Sequence, residues 1–131
     1  MRQWLLPLGV VVLTSCASLE SKSRMEQFDQ LTRGYAKALA WSEFEVAYTA
    51  TRAALEKPLA DVAALKHIKI TAYEPAVPLV EKEGKIIKRV ALIRYVHTSR
   101  MAEHSLTTEE EWIYSDEAGR WFLLSGFPQF R

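Results

Sequence analysis

The chain has 131 residues, of which 49% are hydrophobic, 25% charged and 11% aromatic, as in an ordinary globular protein. This composition excludes a coiled coil, a collagen and a disordered charged tail, and the length predicts one domain. Because 16 acidic residues offset the 17 basic ones, the chain lacks the positive excess that holds a phosphate backbone, and we expect no nucleic acid among its partners.

The first fifteen residues have the organisation of a secretory signal peptide. One basic residue, Arg2, precedes the apolar run 4–13, and small residues follow the run. The run is about half of the roughly 20 residues that cross a hydrocarbon core, so it is not predicted to persist as a transmembrane helix. We predict that residues 1–15 are removed and that the mature protein has no spanning segment.

The end of the apolar run, Leu13-Thr14-Ser15-Cys16, resembles the lipobox of bacterial lipoproteins. The resemblance implies that the Cys16 thiol receives a diacylglyceryl group and that signal peptidase II cuts between Ser15 and Cys16. Two or three acyl chains anchor a protein stably, whereas one chain binds only marginally. Cys16 is the only cysteine, so an internal disulfide is excluded. The alternative is a conventional cleavage site at Ser15-Cys16-Ala17.

The residue after the cysteine bears on the choice of membrane. Ala17 stands where lipoproteins retained in the inner membrane of Gram-negative bacteria carry aspartate. The resemblance therefore implies an outer-membrane anchor facing the periplasm, or the outer face of the cytoplasmic membrane in a Gram-positive cell. Cleavage leaves 16 basic and 16 acidic residues, so we expect contact with the lipid bilayer through acylated Cys16 and not through charge.

Residues 16–24 are predicted to be the lipidated cysteine and a polar tether, because the stretch is too poor in apolar residues to pack. A helix is predicted over 23–41, where apolar residues recur every three or four positions. Ser42 then begins an S-x-x-E capping box, which predicts a second helix that ends before Pro58. A short helical turn is predicted at 59–65.

After Lys66 the hydrophobic period changes from about 3.6 to 2, and β-branched and aromatic residues become frequent, which predicts a sheet. Because proline cannot donate to a ladder, Pro75 and Pro78 place the first strand at an edge. Helices followed by a meander predict an α+β fold, with N-terminal helices on one face of a curved four-stranded antiparallel sheet, as a single domain over residues 25–131. The predicted strands are 67–80, kinked at 74–75, then 86–98, 103–114 and 120–125.

Six segments of the mature chain carry a resemblance to a known superfamily. They are 33–41 (RGYAKALAW) with Phe44, 68–74 (IKITAYE), 93–95 (IRY), 111–114 (EWIY), 119–123 (GRWFL) and 128–130 (PQF). In these segments the chain resembles the cystatin-like and NTF2-like (nuclear-transport-factor-2-like) superfamily of cone-shaped domains, and most of all short proteobacterial lipoproteins of that shape. The resemblance implies the same α+β fold. It leaves the function open, because the superfamily includes enzymes, transport factors and protein-binding modules. Inhibition of an envelope hydrolase through exposed hairpins, as in some cystatin-like domains, is a third hypothesis, and the absence of the cystatin Q-x-V-x-G loop argues against it.

Few residues are candidates for catalysis. The three histidines match no metal-ligand spacing, and a Gly-rich phosphate loop and a G-x-S-x-G motif are both missing, so no metal and no cofactor is predicted. The superfamily's enzymes use His, Asp and Tyr for proton transfer in the open end of the cone. That resemblance gives Tyr95, His97 and Glu110 as an alternative catalytic set, with Tyr35 and Tyr114 as further candidates.

The same residues also fit a protein that is not an enzyme. Tyrosines of this kind are commonly half buried with a solvated hydroxyl, and His97 is then a rim residue. Glutamates 109–111 would pair with Lys88 or Arg94 across neighbouring strands. We therefore predict no enzymatic activity.

Apolar residues occupy both faces of the predicted second and fourth strands, although the uncovered side of such a sheet is usually polar. Large exposed apolar patches commonly mark binding sites. Three coverings are open: a second copy of the chain, an envelope protein partner, or the C-terminal segment 127–130. The main prediction is a non-catalytic binding domain, and the alternative is a small proton-transfer enzyme or a carrier of an apolar ligand in the cone. The residues predicted for the binding face are Val90, Leu92, Val96, Trp121 and Leu123.

Overall fold

A computed structural model describes residue 9 and residues 15–131, with side chains from Leu19 onward. Its helices come before its strands, and the strands form one curled antiparallel sheet, which confirms the predicted α+β fold. One-turn 3-10 helices lie at Ala53–Leu55 and Lys82–Gly84. The other elements are α1 (Ser15–Ala40), α2 (Phe44–Tyr48), α3 (Val62–Leu65), β1 (Ile68–Pro75), β2 (Leu79–Glu81), β3 (Ile86–His97), β4 (Ala102–Ser115) and β5 (Arg120–Leu123).

Helix α1 begins at Ser15, so residues 17–22, predicted as a polar tether before a helix that starts at 23, are helical. The stretch contains neither proline nor glycine and is continuous with turns that pack on the sheet, so helix propagates upstream through polar residues. It is fixed at Arg24, whose carbonyl oxygen accepts a hydrogen bond from Trp121 Nε1 at 2.7 Å. The Arg24 guanidinium also donates to Glu83 O at 3.3 Å. The predicted signal peptide lies outside the described residues, except for residues 9 and 15.

One face of α1 is buried against the sheet. Phe28, Tyr35 and Leu39 lie on this face at the predicted helical spacing, and all three are buried. The Phe28 ring is edge-on to Trp112 and Trp121, with centroids 5.9 and 5.2 Å away. These side chains belong to a single hydrophobic cluster that forms the core.

The predicted capping box at Ser42 is wrong. Ser42 has a left-handed φ of 56° and closes α1: its N–H donates to Leu39 O at 2.9 Å, and Glu43 N–H donates to Ala38 O at 2.8 Å. These two bonds form a Schellman motif, the usual C-terminal end of a helix. The Ser42 hydroxyl accepts a hydrogen bond from Ile70 N in β1 at 3.0 Å, so it joins helix to sheet instead of capping α2. Helix α2 has no side-chain cap and is only five residues long, shorter than predicted.

The strand order is β1-β3-β4-β5, and β2 also pairs with β3. Strand β1 is therefore at an edge of the sheet, as Pro75 and Pro78 predict. The predicted first strand is divided into β1 and β2, which are separated by residues 76–78. The register of β3 with β4 runs from Ile86 opposite Ile113 to His97 opposite Ala102. This long ladder sets which side chains share a face.

Alternate residues of β3 and β4 define an inner face, which packs on the helices, and an outer face. The inner residues Ile87, Ala91 and Ile93 are fully buried, whereas Val90 on the outer face is exposed. Strand β4 is polar on its outer face except at Ile113, so the outer face of the sheet is mixed in character. The outer residues of β4 are Glu103, Ser105, Thr107, Glu109, Glu111, Ile113 and Ser115.

The C-terminal segment after β5 packs on the helical side of the domain. Phe127 is edge-on to Phe44 and Tyr48, with ring centroids 6.3 and 5.8 Å away. Phe130 lies 5.4 Å from Phe44 and 5.1 Å from Tyr95. The segment therefore borders the inner face and does not cover the outer one.

Candidate functional site

The catalytic alternative does not form one site, because Glu110 lies far from Tyr95 and His97. Glu110 is opposite Arg89 in the ladder, and Tyr95 is opposite His104. Six positions of β4 separate His104 from Glu110, a distance of about 20 Å along the strand. Tyr95 and His97 do share the inner face of β3, as expected, but Glu110 belongs to the other end of the sheet.

Glu110 is the centre of a buried polar cluster beneath α1. Its side chain is 3% exposed, and its Oε1 accepts hydrogen bonds at 2.8 Å from Arg89 Nε and from Trp112 Nε1. Its Oε2 accepts a hydrogen bond from the Tyr73 hydroxyl, which accepts one from Arg89 at 3.2 Å. Both carboxylate oxygens are therefore engaged, and the opposing guanidinium side chain is itself only 9% exposed.

Two tyrosines complete the cluster. The Tyr35 ring is edge-on to Tyr73 and Trp112 at 5.8 and 5.4 Å, and its buried hydroxyl has no hydrogen-bond partner among the described residues. Burial first, and then the Glu110 carboxylate, raise the pKa of both Tyr35 and Tyr73 well above 10. Both hydroxyls stay protonated at neutral pH, which is a poor match for proton transfer near neutrality.

The other candidate, Tyr114, lies away from this cluster. Its ring is edge-on to Trp121 at 5.5 Å, and the Arg24 guanidinium lies 5.9 Å from its centroid. These neighbours place it near the start of α1, where it contributes to packing.

The three histidines of the chain gather at the end of the sheet where β3 ends and β4 begins. His97 stacks on His67 with centroids 6.1 Å apart, and His104 stacks on Tyr95 at 5.3 Å. Desolvation, followed by the positive charges of Arg100 and the other two histidines, lowers the pKa of His97 below its ordinary value of 6.5. In the part of the chain that is described, no three metal-ligating side chains come together.

Beside the histidines the domain opens into a cleft of about 560 Å³, here called the C-terminal cleft. One wall comes from residues 53–65 and the other from 125–131, with Ile68 and His97 between them. Its volume is within the ~300–1,000 Å³ of typical ligand sites. Among the residues that line it are Tyr48, Lys57, Leu59, Asp61, Leu65, Ile68, His97, Phe127, Phe130 and Arg131.

The residues of the C-terminal cleft come from separate segments and form no motif, so the cleft could not be predicted from the sequence. The sequence signal nearest to it is the aromatic pair Phe127 and Phe130, whose segment is one of the three coverings left open for the sheet. His97 lines this cleft, whereas Tyr95 lies behind its wall and bonds to the main chain of Arg131.

A second concavity, of about 500 Å³, lies where β2 meets the outer face, and we call it the outer groove. Val77 and Leu79 contribute apolar surface that is 92% and 60% exposed, and Val90 is 44% exposed. Lys88, Glu109 and Glu111 border these side chains. Val90 is thus an exposed member of the predicted binding face, and Leu92 and Val96 follow it, half-buried, along the same face of β3.

The assignment of Trp121 and Leu123 to that binding face is wrong, because each is 1% exposed. The register of β5 places Leu123 opposite Trp112 and Trp121 opposite Tyr114, on the inner face. Strand β5 is apolar on both faces, so it lacks the alternation that would identify its inner side from sequence.

No model of a known protein family matches the chain, and no curated protein matches it either. Among the helices of the described residues, none combines the length and apolar character needed to cross a bilayer. Residue chemistry and geometry are therefore the basis for assigning a function.

Proposed function

We propose that the protein is a lipoprotein of the cell envelope, anchored through acylated Cys16, whose α+β domain binds a partner without catalysis. The observation that carries the proposal is the lipobox-like sequence Leu13-Thr14-Ser15-Cys16 at the end of the apolar run 4–13. In a Gram-negative cell, Ala17 favours an outer-membrane anchor that faces the periplasm. In a Gram-positive cell, the anchor lies in the cytoplasmic membrane.

The start of α1 sets the distance at which such an anchor would hold the domain. The helix begins at Ser15 and continues through Arg24, where the hydrogen bond from Trp121 fixes it to β5. The eight residue steps from Cys16 to Arg24 rise about 12 Å in a helix. The folded domain would therefore stand closer to the bilayer than an extended tether, at about 25 Å, would place it.

The state of Glu110 supports a role without catalysis. A general base needs a lone pair within hydrogen-bond reach of the substrate, and both oxygens of Glu110 are taken by Arg89, Trp112 and Tyr73. Tyr95 lies about 20 Å away along the sheet, so no acid–base pair forms with it. Arg89 and Glu110 also line the outer groove, but as a buried ion pair. The larger concave surfaces of the described residues are this groove and the C-terminal cleft.

Changing Cys16 to serine is expected to abolish lipidation completely, because the serine hydroxyl is a far weaker nucleophile than a thiolate. The measurement is incorporation of radiolabelled palmitate in cells, together with the mass of the processed chain. The wild type should be labelled and shortened by fifteen residues, and the Cys16→Ser chain should show neither change. Ser15→Ala keeps a small residue before the cysteine and is the matched control, with labelling as in the wild type. Equal labelling of Cys16→Ser would overturn the anchor.

We assign the outer groove to a protein partner, because its exposed apolar side chains are bordered by both signs of charge, as in a hydrophobic interface centre with a polar rim. The photoreactive residue p-benzoyl-phenylalanine in place of Val90 is expected to give one discrete crosslinked species in cells. The same replacement of Lys37, exposed on α1, is the control and should give none. A species of twice the chain's mass identifies a second copy as the partner. If crosslinking from position 90 is no stronger than from position 37, the outer groove is ruled out as the partner-binding surface.

A further inference from the structure

We propose that the C-terminal cleft binds a small amphipathic carboxylate, a molecule with an apolar body and one acidic group. The cleft and the outer groove share only Ser125, at their margins, so the proposal is independent of the protein partner assigned to that groove. The apolar walls, the cationic rim and the histidine at its end each point to this ligand class.

The wall formed by the C-terminal segment is fixed in place. Phe130 packs between Phe44 and Tyr95, with centroids 5.4 and 5.1 Å away. The Tyr95 hydroxyl donates a hydrogen bond to Arg131 O at 3.0 Å and accepts one from Arg131 N at 3.2 Å. A ligand therefore meets a formed apolar surface and does not have to order it, which favours affinity.

The opposite wall is held to the same core. Leu59 and Leu65 are partly buried and pack against the hydrophobic cluster, and Ile68 is one of its buried members. The Tyr48 hydroxyl donates a hydrogen bond to Lys57 O at 2.9 Å, which ties this segment to α2. Both walls thus present aliphatic or aromatic side chains that are held by the core.

The rim of the cleft carries more positive than negative side chains. Lys57 and Arg131 line it with one acid, Asp61, and neither cation forms an ion pair with an acidic side chain in the described chain. His97 adds a third positive charge when protonated. Its Nδ1 is engaged by the Ser99 hydroxyl at 2.8 Å, which leaves Nε2 for a ligand. Apolar walls beside cations of this kind complement a carboxylate and disfavour an amphipathic cation.

His97 gives the binding a defined pH dependence. In the free protein, desolvation and nearby positive charges hold the pKa of His97 below 6.5. A bound carboxylate favours the imidazolium and raises that pKa, so by linkage the affinity rises as pH falls through the interval between the two values. The charged and titratable groups that surround His97 or share the cleft with it are His67, His104, Arg100, Asp61, Lys57 and Arg131.

The test measures binding to the mature protein in nanodiscs by equilibrium dialysis, with empty nanodiscs as the blank. Octanoate and 4-phenylbutyrate serve as an aliphatic and an aromatic carboxylate, and octyltrimethylammonium is the matched cation. We expect saturable binding of a carboxylate, with the cation at least about tenfold weaker. The carboxylate that binds more tightly shows whether the apolar part of the ligand is an aliphatic, lipid-derived chain or an aromatic group. Absence of saturable carboxylate binding, or equal binding of the cation, overturns the proposal.

Variants of exposed rim residues locate the binding in this cleft. Lys57→Gln should weaken carboxylate binding about two- to fivefold, and Asp61→Asn should strengthen it by a similar factor. Asp61 has a φ of 56°, a conformation that asparagine also tolerates, so the backbone should be unchanged. Lys22→Gln, on an exposed part of α1, is the matched control and should leave binding as in the wild type. Unchanged binding in both cleft variants would place the ligand elsewhere and overturn the assignment.

The pH profile tests His97 directly. The wild type should bind the carboxylate about two- to fivefold more tightly at pH 5.5 than at pH 7.5. This factor corresponds to one additional, partly exposed ion pair between His97 and the ligand. His97→Gln should remove this dependence while retaining the binding at pH 7.5. A pH profile that is the same in both chains contradicts the role of His97.

Discussion

Replacing Arg89 with methionine is expected to lower the free energy of unfolding by about 3 to 5 kcal/mol, because Glu110 would stay in the core without its counter-charge. The Glu110 side chain is 3% exposed, and its remaining donors, Tyr73 and Trp112, are neutral. Glu110→Leu should cost a similar amount, since it leaves the guanidinium unpaired. Urea-induced unfolding followed by circular dichroism measures each change.

The double variant Arg89→Met, Glu110→Leu is expected to lose much less than the sum of the two single losses, because neither charge is then left unpaired in the core. It should remain below the wild type by about 1 to 3 kcal/mol, because Tyr73 and Trp112 lose their acceptor. Lys88→Ala is the control on the same strand. Its 3.4 Å ion pair with Glu81 is 48% and 38% exposed and should contribute under about 1 kcal/mol. If Arg89→Met is no more destabilised than Lys88→Ala, the buried pair has no structural role.

Trp121→Ala is expected to lower the free energy of unfolding by about 3 to 5 kcal/mol, the usual cost of removing a large buried ring. Its ring is 1% exposed and lies edge-on to Phe28 and Tyr114 at 5.2 and 5.5 Å. Its Nε1 donates to Arg24 O at 2.7 Å, so the variant also loses the bond between β5 and α1. The measurement is again urea-induced unfolding.

Trp121→Phe separates the ring from the hydrogen bond. It keeps an aromatic contact with Phe28 but has no donor for Arg24 O, so it should cost only about 1 to 2 kcal/mol. Trp41→Ala is the control for removing a tryptophan, because Trp41 is 71% exposed, and it should change stability by less than about 0.5 kcal/mol. Equal losses in Trp121→Phe and Trp121→Ala would contradict a contribution from ring packing.

The strands could be predicted from sequence because their signals are local. The predicted strand 86–98 corresponds to Ile86–His97, and 103–114 corresponds to Ala102–Ser115, because alternation and turn residues act over a few neighbours. The start of α1 could not be predicted in this way, since Trp121 and Glu83, far along the chain, fix it at Arg24. The role of Ser42 could not be predicted for the same reason, because its hydroxyl accepts a hydrogen bond from the Ile70 amide, 28 positions away.

The sites depend even more on register. Glutamates 109–111 were predicted to pair with Lys88 or Arg94, and the ladder does place Lys88 opposite Glu111. The same ladder puts Arg89 opposite Glu110 on the buried face, which no periodicity indicates. The C-terminal cleft is assembled from chain segments that meet only after folding, so its residues could not be grouped from their sequence positions.

The hydrogen bond from Trp121 to Arg24 also has a consequence for the order of folding. It joins residues 97 positions apart, and contacts of such large sequence separation form slowly because a long loop must close first. Helix α1 therefore completes its docking only after β5 has been synthesised and paired. A nascent chain without residues 120–123 lacks Trp121 and Leu123, two buried members of the core. In the exported lipoprotein that we propose, this late closure would keep the chain unfolded until its last strand has emerged.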